Sequence, residues 1–336
     1  MRLEEFDYEL PAACIAQVPV EPRDAARLLV DRGSAPPEHR HVRDLPELLG
    51  QDDVVVVNET RVIPARLRLR RATGGAVEVL LLEPLDDERR AWEALVRPAR
   101  RLRPGEQLHA PDGAAVAVVD GRTDAGNTLR IQLLGDGYPL DVLTRRGELP
   151  LPPYITVPLA DPERYQTVFS REPASAAAPT AGLHLTPGLL ASLADVGVTI
   201  VTVELIVGLD TFQPVSAPDP RDHRMHSERY RVPAEALAAC RGAGRVVAVG
   251  TTSVRALESV AAGAPLSGRT ELFLHRGVEF AVVDVLLTNF HLPRTTLLMM
   301  IDAFVGPRWR TLYATALAEG YRFLSFGDAM LLDRHS

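Results

Sequence analysis

The hydrophobic pattern of this chain changes twice along its length, and that change limits the folds open to it. Near-continuous apolar runs at residues 54–57, 198–207, 245–249 and 280–287 predict strands buried on both faces. Helical stretches lie between them. Thr186-Pro187 gives one helix a hydroxyl cap and a proline at its first position, and Gly197 is a natural stop. Further helices are predicted from about Ser253 and from about Leu297 to Val305. Buried strands alternating with helices define an α/β domain.

Between residue 65 and about residue 134 the pattern is different. Short Val-, Leu- and Arg-rich runs are broken by Thr73-Gly74-Gly75, Arg103-Pro104-Gly105, Asp112-Gly113 and Asp124-Ala125-Gly126-Asn127. Turn signals at this spacing predict closely connected antiparallel strands, hence a small sandwich or barrel. Residues 138–146 read as a short helix closed by Gly147, and the proline-rich Leu149-Pro150-Leu151-Pro152-Pro153-Tyr154 leads the chain back. The expected organisation is a main α/β domain from 1–64 and 149–336, with 65–148 inserted.

With 336 residues, 46% of them hydrophobic and 24% charged, the chain can bury a large core without a metal or disulfide. All 37 basic residues are arginine. The absence of lysine excludes Schiff-base catalysis, a Walker-type phosphate loop and an amine general base. Cys14 and Cys240 are too few and too distant for a zinc cluster or disulfide framework. The acidic N-terminal residues lack a signal-peptide core, and prolines and glycines interrupt the longest uncharged run, 173–194. These features predict a cytoplasmic protein with no metal and no membrane partner, a monomer or weak oligomer.

Three predicted strands end in polar clusters: Asn58-Glu59-Thr60-Arg61, Gly250-Thr251-Thr252-Ser253-Val254-Arg255 and Thr288-Asn289-Phe290-His291. Ligands of α/β sheets bind beyond the carboxyl ends of strands, so a site is expected there. Backbone N–H groups at the Thr251-Thr252-Ser253 helix start, with Arg255, suit an anion; plain helix capping uses the same groups. Thr180-Ala181-Gly182-Leu183-His184 supplies a permissive glycine and a histidine that is either structural or an acid/base group. His223 and His226 have a His-x-x-His spacing, but with Pro218 and Pro220 ahead of them hydrogen bonding to a polar substrate outweighs zinc binding. From Arg61 to Arg103 eleven arginines face six acids in a chain of net charge −7. The alternation Arg66-Leu67-Arg68-Leu69-Arg70 puts guanidiniums on one strand face, which favours RNA over a merely solvated surface.

Taken together, these segments resemble the S-adenosylmethionine:tRNA ribosyltransferase-isomerase family of queuosine biosynthesis. Matching words run nearly end to end, among them Thr60-Arg61-Val62-Ile63-Pro64-Ala65-Arg66-Leu67, Ala177-Ala178-Pro179-Thr180-Ala181-Gly182-Leu183-His184, Val249-Gly250-Thr251-Thr252-Ser253-Val254-Arg255 and Thr288-Asn289-Phe290-His291-Leu292-Pro293. The resemblance implies a mixed, barrel-like sheet flanked by helices, plus a small antiparallel β-barrel. It also implies that S-adenosylmethionine, as co-substrate, gives its ribosyl group to 7-aminomethyl-7-deazaguanine at the tRNA wobble position. Adenine and methionine leave, and the ribosyl group becomes an epoxycyclopentane.

On that reading His184, His291 and Asn289 are the catalytic candidates, the imidazoles taking acid and base duties. Thr180, Gly182, Thr251, Thr252, Ser253 and Arg255 are expected to hold S-adenosylmethionine, with Arg255 on its carboxylate or a phosphate. Asn58, Arg61, Arg66, Arg68, His223 and His226 are expected at the tRNA. Glu59, Ile206 and Asp210 depart from the family words; two of them add carboxylates that would repel phosphate. An altered acceptor, such as a free deazapurine or another amine, is the alternative these departures raise. A methyltransferase and a non-catalytic RNA-binding protein are the competing classes.

Overall fold

The computed structural model describes residues 1–123, 128–208, 215, 217, 219–223, 225 and 227–334. The chain divides into two compact units. One comprises Met1–Thr60, Pro153–Glu172 and Ala178–Ser336; the other comprises Arg61–Pro152 and Pro173–Ala177.

The first unit is built on a nine-stranded mixed sheet. Its strand order is Ser267–Thr270, Glu228–Arg231, Thr199–Leu205, Asp53–Asn58, Arg245–Val249, Val285–Asn289, Ala329–Asp333, Arg27–Asp31, Glu38–His41. The four strands from Thr199–Leu205 to Val285–Asn289 run parallel, and Ala329–Asp333 returns antiparallel to Val285–Asn289. Asp53–Asn58 is buried at all six positions, as a strand covered on both faces must be. One covering layer is the helix Pro187–Asp195, where Thr186 accepts from the Leu189 N–H at 3.1 Å. Its Leu189 and Leu193 join Val55, Val57, Val247 and Val249 in one apolar cluster.

Two expectations are corrected. The strand predicted over 280–287 begins only at Val285, because the N–H groups of Ala281, Val282 and Val283 donate to the buried Glu258 carboxylate at 2.8–3.0 Å. Backbone donors satisfied by a carboxylate are lost to a strand ladder. The helix predicted from Ser253 spans Thr251–Ala261, because Gly250 at φ +84° turns the strand directly into the helix.

The second unit is a closed six-stranded antiparallel barrel. Arg66–Arg71, Ala76–Pro84, Ala91–Arg97, Leu129–Leu133, Ala115–Arg122 and Gln107–His109 pair in that order, and the last pairs back to the first. Leu67, Leu69, Val77, Val79, Trp92 and Ala94 are buried, while Arg68 and Arg70 face solvent. The alternation therefore sorts side chains as its period of two requires. Gly147 follows the helix Pro139–Arg146 at a close approach, since a Cβ there would lie 1.9 Å from the Pro64 carbonyl oxygen.

Candidate active site

The parallel strands Arg245–Val249 and Val285–Asn289 end beside each other, and the segment Thr180–His184 packs on the latter. Together they wall a cleft in the first unit. Phe290 fixes the turn that carries Asn289 and His291. Its ring is fully buried, stacks on Phe323 at 4.6 Å and meets Tyr313 and Tyr321 edge-on. The backbone of His291 is held as well, its N–H donating to the Tyr313 hydroxyl at 3.0 Å and its carbonyl accepting from Tyr8 at 2.5 Å.

Asn289 is the hub. Its Nδ2 donates to His184 Nε2 at 3.0 Å and to the Asp328 carbonyl at 3.4 Å, while its Oδ1 accepts from the Thr180 hydroxyl at 2.9 Å. The Asp328 carbonyl can only accept, which fixes the amide orientation. His184 Nε2 must then be an acceptor, so the ring is neutral with its proton on Nδ1. Thr180, whose proton goes to Asn289, lines the cleft.

Burial reinforces this arrangement. Desolvation, with lesser contributions from Arg322 and Arg23, pushes His184 from the usual 6.5 down to about 4. Desolvation alone takes His291 down to about 3, its Nε2 lying 3.0 Å from the Thr288 hydroxyl. Both imidazoles are neutral at pH 7. Burial therefore favours the base half of the predicted acid/base pair in the resting protein.

Linkage gives these shifts a testable sign. Both folded values lie below the unfolded value near 6.5, so the unfolded chain binds more protons as pH falls. The stability from the two neutral rings is complete above pH ~6.5 and is lost as pH falls toward their folded values. Denaturant melts from pH 8 to pH 4 are expected to show stability falling below pH ~6.5, with a shallower fall in His184→Gln. An equally steep fall in that variant would contradict the assignment.

The cleft wall holds Thr180, Thr251, Thr252, Asn289 and His291 from the predicted set. It also holds Thr288, from the third polar strand end, together with Tyr154 and Ser325, which sequence reasoning did not single out. The Tyr154 hydroxyl lies 2.7 Å from Ser325 Oγ, and burial pushes it up to about 12. Nothing in the local pattern of Tyr154 or Ser325 marks either as a pocket residue. No charged side chain lines the cleft among the described residues. The Thr252 hydroxyl is buried and makes no hydrogen bond among the described residues.

Other predicted residues are placed elsewhere. His184 lies behind Asn289 and lines a separate small pocket with Arg23 and Arg164. Gly182 faces Phe169 and Thr167, where a Cβ would come within 2.8 and 3.0 Å of side-chain carbons, so it is a packing glycine. The Ser253 hydroxyl bonds back to the Val249 carbonyl at 2.9 Å. Arg255 is buried in an ion pair with Glu228 and also reaches the Leu272 and Thr270 carbonyls, so the predicted anion fork is taken by the protein itself. Asn58 pairs with the Leu205 backbone at 2.9 and 3.1 Å, joining two strands.

Arg61, Arg66 and Arg68 belong to the barrel unit. Arg68 bonds both Glu148 oxygens and Arg66 reaches the Leu151 carbonyl. The His223 ring packs edge-on against Phe273, whereas His226 and Asp210 lie outside the described residues. Among the described residues no group of three His, Cys, Asp or Glu is placed to hold a metal, and no helix is long and apolar enough to cross a membrane. Glu59 is buried against Arg231 at 3.4 Å, which answers its charge inside the fold.

Known proteins share this architecture and its sequence. The family model described as queuosine biosynthesis protein matches residues 3–332. A protein of Symbiobacterium thermophilum named S-adenosylmethionine:tRNA ribosyltransferase-isomerase is 53% identical, covering 99% of this chain and 100% of its own length. One of the same name from Moorella thermoacetica is 52% identical over the same shares. The crystal structure of S-adenosylmethionine tRNA ribosyltransferase from Thermotoga maritima superposes with a TM-score of 0.55 at 37% identity, covering 98% of this chain and 99% of that one. The chain accordingly belongs to the queuosine biosynthesis family, the enzymes that transfer and isomerise the ribosyl group of S-adenosylmethionine onto tRNA.

Proposed function

We propose that the cleft binds S-adenosylmethionine and delivers its ribosyl group to 7-aminomethyl-7-deazaguanine at the tRNA wobble position, releasing adenine and methionine. The observation that carries this reading is a wall of uncharged hydroxyl, amide and imidazole groups containing one buried hydroxyl, Thr252, with no hydrogen-bond partner among the described residues. A buried unpaired hydroxyl is costly unless a ligand completes it. Walls without arginine also suit a sulfonium, which a neighbouring guanidinium would repel.

In this arrangement Thr180 presents acceptor lone pairs to a ribose hydroxyl, with Asn289 and His184 behind it holding that polarity. His291, the imidazole on the wall, takes the proton on the carbon that the sulfonium acidifies. The neutral ring is fully available for this at physiological pH. His184 acts through Asn289 as a positioning residue. The acceptor is the tRNA base itself rather than an altered one, because the departure at Glu59 is paired with Arg231.

The deciding experiment incubates the protein with S-adenosylmethionine and tRNA carrying the aminomethyl base, followed by nucleoside analysis. Free adenine, free methionine and an epoxycyclopentane nucleoside are expected. Release of S-adenosylhomocysteine would replace this reading with methyl transfer, and activity on the free base alone would move the acceptor off tRNA. Thr252→Val separates ligand from fold. Its KM for S-adenosylmethionine is expected to rise about three- to tenfold, the worth of one neutral hydrogen bond, while the melting midpoint holds or rises. A lowered midpoint with an unchanged KM would remove Thr252 from the site.

A further inference from the structure

From the two ends of the six-stranded barrel we infer a docking surface for the backbone phosphates of tRNA, formed by Arg70, Arg97, Arg100, Arg101 and Arg103. This rests on the reading that tRNA is the substrate. Strand register brings these residues to one end. Arg68 lies opposite Glu78, Glu78 opposite Arg97, and Arg70 opposite His109, so the turn after Ala91–Arg97 and the turn after Arg66–Arg71 share that end. The side chains of all five arginines are exposed and make no hydrogen bond or ion pair among the described residues. Residues 97–103 hold four arginines and no acid.

The acids at this end do not cancel them. Glu106 is held by a bidentate contact with Arg71 at 2.5 and 3.1 Å, which leaves Glu78 and Asp120 among the described residues. The opposite end has the reverse character. There Asp86, Asp87 and Glu88 cluster in one turn, and the arginines beside them are occupied. Arg89 donates to the Pro173 carbonyl, Arg90 to the Gly135 and Gly137 carbonyls, and Arg146 pairs with Asp112. In a chain of net charge −7, five exposed arginines whose side chains make no hydrogen bond or ion pair among the described residues thus gather at one end of one unit.

Unpaired guanidinium forks match phosphate oxygens in geometry as well as charge. No aromatic side chain occurs in residues 97–106, so stacking on splayed bases has no platform there. The surface is suited to the backbone and is indifferent to base identity. It also relocates the predicted RNA contact within the barrel, from Arg66 and Arg68, whose side chains are bonded, to arginines whose side chains make no hydrogen bond or ion pair among the described residues.

The test is filter binding of unmodified tRNA from 50 to 200 mM KCl. The protein carrying Arg97→Ser, Arg100→Ser, Arg101→Ser and Arg103→Ser together is compared with the parent and with the four-lysine version. The serine protein is expected to bind about tenfold or more weakly at 100 mM salt, with the slope of log affinity against log salt shallower by about three. The lysine protein is expected to regain most of the slope, and all three should melt together because the four sites are exposed. A serine protein with the parental slope would overturn the inference, as would lysines that restore nothing. A parent that fails to bind tRNA would instead bring down the reading of tRNA as substrate.

Discussion

Asn289→Asp is expected to lower the rate of adenine release about 10²–10³-fold, the scale seen when a preorganised donor is removed from a catalytic site. The substitution keeps the shape and the acceptor facing Thr180, but it removes both N–H bonds, to His184 and to the Asp328 carbonyl. A carboxylate would then face a carbonyl oxygen and an imidazole acceptor. The fold can relieve this by protonating His184, so the His184 value is expected to climb from about 4 toward neutrality. Two measurements check this: kcat with saturating S-adenosylmethionine, and the His184 titration by NMR. In the parent neither histidine titrates between pH 5 and 8, so the parent rate should show no acid limb from them there, whereas the variant should acquire one. A variant with parental kcat and a parental His184 titration would dismiss Asn289 as the hub.

Arg255→Ala is expected to destabilise the protein by roughly 3–5 kcal/mol, the cost of leaving one member of a buried ion pair uncompensated. Both side chains of the Arg255–Glu228 pair are only 7% exposed, and Glu228 also accepts from the Gly208 N–H at 3.3 Å. The loss would therefore take the guanidinium away from that buried carboxylate and from two backbone carbonyls. Urea melts give the measurement. Pairing Arg255→Met with Glu228→Gln should recover much of the loss, because the glutamine keeps an acceptor for Gly208 and no charge remains buried. If Arg255→Ala instead melted like the parent and lost affinity for S-adenosylmethionine, Arg255 would return to the ligand role its position in the sequence suggested.

The misplaced residues share a cause. Ser253 and Arg255 sit in a helix start of the kind that binds anions, and their types are right for it. Whether a guanidinium meets a ligand or a carboxylate depends on Glu228, a residue 27 positions away whose approach has no local signature. His184 and His291 look alike in sequence, each in a polar word at the edge of an element. Only the packing of Asn289 between the cleft and His184 separates a wall residue from one behind it. Gly182 read as room for a ligand, yet its missing Cβ makes room for Phe169.

Local periodicity and turn chemistry were enough to define this chain as an α/β domain with an antiparallel barrel. The period of two in Arg66–Arg71, the apolar run of Asp53–Asn58 and the Thr186 cap are properties of neighbouring residues, fixed wherever the chain is placed. The cleft has no such local origin. It draws on Tyr154, Thr180, Thr252 and Asn289, which only the tertiary fold brings together across more than a hundred residues. Hydrogen-bond direction and burial then decide which of their polar groups remain open to a ligand, because each is satisfied or left unpaired by a partner that the sequence does not place beside it.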